Sequence, residues 1–112
     1  MAEPLTEAFE AFHAANPHVY DQLVLRAHRW REETGLEKMS IAMLVEHVRW
    51  DLTIQTTTGN RGPEGYKIAN AHRAFYARLI MFQETELRTM FRLCEAPEAD
   101  AWLESKLVEA GY

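Results

Sequence analysis

Apolar residues recur at helical spacing along most of the chain. Leu5, Ala8, Phe9 and Phe12 stand at i, i+3, i+4 and i+7, the register of one buried helix face. Pro4 suits the first turn of that helix. Asn16-Pro17 then punctuates the chain, with Asn16 placed to cap the next helix and Pro17 to occupy its first position. That second helix carries Val19, Tyr20, Leu23, Val24, Ala27 and Trp30 on one face, with Arg26, Arg29 and Arg31 toward its C-terminal end, where cations meet the negative end of the helix dipole. Gly35 is positioned as its left-handed stop. Ser40 is the N-cap expected for a third helix, and Met39 and Leu44 occupy the two positions of a hydrophobic staple. Ile41, Leu44, Val45, Val48 and Leu52 form its buried stripe.

After Asp51 the pattern changes. Thr53, Ile54, Thr56, Thr57 and Thr58 are β-branched and weak helix formers. The run from Thr58 to Gly65 has three glycines and a proline and predicts a loop. Tyr66, Lys67 and Ile68 are then placed to pair with residues 53–56 as a short hairpin, which needs helices packed on it to persist. Asn70 is the expected cap of a further helix, with Ala71, Phe75, Leu79 and Phe82 on its apolar side and His72, Arg73, Tyr76, Ile80 and Gln83 on the other. Thr85 opens a short helix containing Leu87, Met90, Phe91 and Cys94, and Trp102, Leu103 and Leu107 mark a last helix after Pro97. The pattern predicts a mainly α, compact single domain over residues 1–112. It has five or six helices and a short β-hairpin near residues 53–68.

Composition narrows the class without naming a function. The 112 residues are 47% apolar and 26% charged, a globular mixture. No apolar run is long enough to span a bilayer and no leader-like segment opens the chain, so a soluble cytoplasmic protein with no membrane role is expected. A lone Cys94 makes no internal disulfide and supports no cysteine-based zinc cluster. The net charge of −5 conceals an asymmetry: residues 61–92 hold six basic side chains against three acidic ones, and the remainder is strongly acidic. Such a body repels nucleic acid at long range. A cationic segment within it either contacts an anionic partner or is neutralised inside the fold.

Candidate chemistry is sparse. Asp51, Glu64 and Lys67 are the ingredients of a metal-dependent nuclease. However, Gly65 and Tyr66 separate the second carboxylate from the lysine, which sends the two side chains to opposite faces of a strand. The five histidines contain no HExxH and no i, i+4 pair, and Glu46 and His47, as neighbours on a helix, point about 100° apart. No phosphate-binding glycine motif is present. No catalytic residue, metal ligand or cofactor is assigned, and a non-enzymatic role is expected.

Binding surfaces have more support. The run YKIANAHRAFYAR interleaves basic, amide and aromatic side chains. A helix capped at Asn70 presents His72 and Arg73 from its first turn, as recognition helices present their base-reading residues. Lys67, Asn70, His72, Arg73 and Arg78 are therefore the nucleic-acid-binding candidates, for DNA or RNA. The dozen-residue connection from the preceding helix is long for a helix-turn-helix. The competing account pairs Arg73 and Arg78 with the domain's own acids and places Tyr76 over the core. For a protein interface the candidates are Trp50, which lies off the apolar stripe beside Arg49 and Asp51, and Tyr76.

Three blocks carry a resemblance: AFHAANPHVYDQLVLRA, SIAMLVEHVRWDL and GYKIANAHRAFYARLIM, followed by ETELRTMFRL. In this order the chain resembles a family of small uncharacterised proteins encoded by phages and prophages, over about residues 9–93. It departs from that family where Ala69 and Ala71 flank Asn70 and Ala74 follows Arg73, in a block that is often richer in asparagine and arginine. The resemblance implies a setting, a phage or prophage gene product in the bacterial host cytoplasm, and no mechanism. Taken together, the expectation is a small phage-derived binding protein that contacts nucleic acid or regulates through segment 66–92. The alternative is a protein–protein interaction module that modulates a host complex or forms a homodimer.

Overall fold

Five α-helices and one 3-10 turn account for most of residues 4–58, 71–93 and 95–111, which a computed structural model of the chain describes. The helices are α1 (Pro4–Ala15), α2 (Pro17–Thr34), α3 (Ile41–Thr58), α4 (His72–Gln83) and α5 (Pro97–Glu109), with the 3-10 turn at Thr85–Leu87. The mainly α, single-domain expectation is met. No helix among the described residues is long and apolar enough to cross a membrane.

Local chemistry explains most boundaries. Pro17 stands in the first turn of α2, and Gly35 ends that helix at φ 71°, returning its N–H to the Arg31 carbonyl at 2.9 Å. An L-residue with a Cβ enters this left-handed region only at a cost, so glycine belongs here. Ser40 caps α3 by accepting the Met43 N–H on its Oγ at 3.2 Å. Leu44 is buried and Met39 packs against the same core, as a staple requires.

Asn16 departs from expectation. Its side chain makes no bond to α2, and its Nδ2 instead donates back to the Phe12 carbonyl at 3.1 Å. It therefore adds a second donor at the C-terminal end of α1, on a carbonyl that already accepts the Asn16 backbone N–H at 2.9 Å. The hairpin expectation is also corrected for its first arm, because residues 53–58 continue α3 as helix. Each threonine lowers helix propensity by only a few tenths of a kcal/mol, which is small beside the gain of extending a helix already nucleated upstream. The second arm, Tyr66–Ile68, lies outside the described residues. The short helix expected after Thr85 shrinks to one 3-10 turn, which buries Leu87, and the irregular turn after it brings Met90 and Phe91 to the core.

Helix α4 is the centre of the molecule and packs against α1, α3, α5 and the 3-10 turn. His72 and every residue from Phe75 to Ile80 is buried. Phe9 of α1 inserts among Phe75, Tyr76 and Trp102, with ring centroids at 4.9, 4.9 and 5.2 Å. These distances suit stacked and edge-to-face aromatic contact. Polar ties fix the remaining helices. Glu98 of α5 accepts the Thr6 N–H at 2.9 Å, and Glu10 of α1 accepts the Trp102 indole N–H at 3.0 Å.

Candidate binding surfaces

The central burial of α4 decides the fate of the residues singled out by sequence. Arg78 is 2% exposed. Its Nε donates to Asp100 Oδ1 at 2.7 Å and its NH1 to the Ala74 carbonyl at 2.9 Å. This guanidinium is held by the domain's own carboxylate, so the expectation that it reaches a nucleic acid is corrected. His72 is 6% exposed and lies edge-on to Phe9 at 5.9 Å and tilted against Phe12 at 5.0 Å. Its ring faces the core, away from any groove of a duplex. Tyr76 is fully buried, so it closes the core and cannot anchor a protein partner. Each correction has one cause. Helices α1, α3 and α5 and the 3-10 turn pack on α4 where these side chains lie, whereas a recognition helix presents such residues on a free face. Arg73 alone of the described nucleic-acid candidates retains partial exposure. Lys67 and Asn70 lie outside the described residues. The cap position of α4 is Ala71, which offers no side-chain acceptor.

Burial also sets the protonation of this region. Desolvation lowers the His72 pKa below the ordinary imidazole value. The same effect lowers that of His13, which stacks on Phe9 at 5.6 Å; Lys106 adds to the depression and Asp21 opposes it. Both Nδ1 atoms lack a hydrogen-bond partner. The Tyr76 and Tyr20 hydroxyls are pushed above the usual phenol range, chiefly by burial, and for Tyr20 also by Glu84, to which it donates at 3.2 Å. These groups are neutral near pH 7. Among the described residues no cluster of three metal-ligating side chains exists. Asp51 is engaged by Arg26 at 2.6 Å, and its nuclease companions Glu64 and Lys67 lie outside the described residues.

Two surfaces remain. The first is the outer stripe of α3. Met43 and Trp50 are seven residues apart, two turns, so both lie on one side of the helix about 10 Å from each other. Trp50 is 68% exposed and Met43 44%. Charged groups border them: Arg26 bridges from α2 to Asp51 and to His47 Nδ1 at 3.0 Å, and Arg49 pairs with Glu46. An exposed tryptophan on a helix that also carries paired polar groups is the arrangement of an interface anchor with a polar rim.

The second surface is a half-open groove of about 760 Å³, lined by Leu5 of α1, Ile41 of α3, the buried Phe75 of α4, and Leu93. Small side chains, among them Ala42, Ala71 and Ala74, leave its space open. Lys38, Arg73 and Arg92 contribute positive charge to its walls, and Glu95 and Glu98 negative charge. Sequence reasoning placed Ala71 on the apolar side of its helix, noted Ala71 and Ala74 among the departures from the family it resembles, and missed the groove. Its walls come from four separate stretches of chain, and no local spacing records that meeting.

No family model, no curated protein and no solved structure matches this chain.

Proposed function

We propose that this chain is a small, non-enzymatic accessory protein of phage or prophage origin that acts by docking on another protein through the outer stripe of α3. The observation that carries the reading is Trp50. It is a large aromatic side chain left 68% exposed beside Met43, on a helix whose opposite face supplies Leu44, Val45 and Val48 to the core. Covering an indole of this size recovers roughly 3 kcal/mol at about 25 cal/mol per Å². The fold does not use that contribution, and a partner would.

Nucleic acid is the second reading, favoured by the excess of basic residues over residues 61–92. Its remaining candidates are Lys67, Asn70 and Arg73, since Arg78 and His72 are engaged within the domain.

Affinity capture from nuclease-treated bacterial lysate compares the two readings. The wild-type chain is expected to enrich a defined set of proteins that a Met43→Ala, Trp50→Ala double variant loses, with Arg73→Ala capturing as the wild type does. Identical capture by the double variant overturns the protein reading. Low-salt anisotropy with labelled DNA or RNA, showing affinity that Arg73→Ala abolishes, would favour the nucleic-acid reading instead.

A further inference from the structure

We propose that the groove between α1, α3, α4 and the segment before α5 is a binding site for an amphipathic carboxylate, a small molecule with an aliphatic chain and one anionic head. The site stands apart from the α3 outer stripe. Ile41 and Ala42 face the groove, whereas Met43 and Trp50 do not line it.

Size comes first. About 760 Å³ falls within the range of small-molecule sites. Leu5, Ile41 and Leu93 give the walls apolar surface, with Phe75 buried beneath and alanines between them. An aliphatic chain is the occupant such walls accept without leaving a polar group unpaired.

Charge selects the head group. Lys38, Arg73, Arg78 and Arg92 stand on the walls against two carboxylates, Glu95 and Glu98. Arg78 is neutralised by Asp100 and lies deep. Glu98 accepts the Thr6 N–H and keeps its charge, and Glu95 is exposed on the same wall, so the four cations of the lining stand against two full carboxylates. Lys38 gives its ammonium to the Thr89 carbonyl, which satisfies a donor without cancelling its charge. Arg92 is exposed, and no carboxylate among the described residues pairs with it. The first turns of α3, α4 and α5 also border the groove, adding their partial positive charge. An overall charge of −5 makes a cation-rimmed apolar groove a local exception on this molecule. An anionic head at Arg92 with its chain laid along Leu5, Ile41 and Leu93 satisfies both halves of the site.

Titration by NMR of the full chain, labelled at alanine methyls, tests this with octanoate, octanol and acetate as probes. Octanoate is expected to shift the Ala42, Ala71 and Ala74 methyls saturably. Octanol should bind several-fold more weakly at the same methyls, and acetate should leave them unmoved. Arg92→Ala, at an exposed position that the fold does not need, should weaken octanoate about three- to fivefold and leave octanol unchanged. Ala42→Phe should fill the groove and abolish both. The proposal is overturned if octanoate moves none of these methyls, or if Arg92→Ala weakens octanol as much as octanoate. It is equally overturned if the saturable shifts map only to the surface of α3 around Met43 and Trp50.

Discussion

A guanidinium withdrawn from water needs a counter-charge and acceptors, and Arg78 finds both in Asp100 and the Ala74 carbonyl. Because Asp100 remains half exposed, solvent screens part of the pair and the full cost of a buried ion pair does not apply. Arg78→Ala is expected to destabilise the domain by about 2 kcal/mol in urea unfolding, through the lost pair and the cavity left behind. The two buried histidines give a pH signature. Both have folded-state values below the unfolded value of 6.5, so the unfolded chain binds more protons as pH falls. Their contribution is complete above about pH 6.5 and is lost progressively below it. A series of urea midpoints between pH 7.5 and 5 should fall toward acid, and the fall should be shallower in His72→Phe. An unchanged slope would show that the imidazole is not held neutral by its contacts with Phe9 and Phe12.

At the scale of the element, capping residues carry measurable energy. Ser40→Ala removes the acceptor for the Met43 N–H and should cost about 1 kcal/mol. Gly35→Ala, forced to φ 71°, should cost a similar amount by backbone strain. Helices were legible in the sequence wherever an apolar stripe met a punctuation residue, as at Pro17, Gly35, Ser40 and Pro97. They were misread where propensity and continuity conflict. The threonines after Thr53 suggested a strand, yet they follow a helix already formed, and extension outweighs a small propensity deficit. For α4 the spacing was right and the exposure was wrong. A pattern along one chain shows which side of a helix is apolar. It does not show that α1, α3 and α5 all pack on the same helix, which places Tyr76 and Arg78 inside.

The whole molecule resolves the charge asymmetry read from the sequence in a mixed way. Part of the cationic stretch is neutralised internally, at Arg78, and part stands exposed on the wall of a groove, at Arg92. Trp50 was recognisable from its position off the apolar stripe of α3. Its companion Met43 and the polar border from Arg26 emerge only when α2 and α3 are placed side by side. Because Trp50 contributes little to the core, Trp50→Ala should change stability by no more than about 0.5 kcal/mol, which separates recognition from folding. Hydroxyl-radical footprinting at this indole tests the docking surface most directly, with the solvent-facing Leu36, on the loop after α2, as internal reference. The Trp50-to-Leu36 oxidation ratio should be high in buffer and fall several-fold in nuclease-treated bacterial lysate, where a protein partner covers the stripe. The same ratio in both media would contradict a docking role for α3.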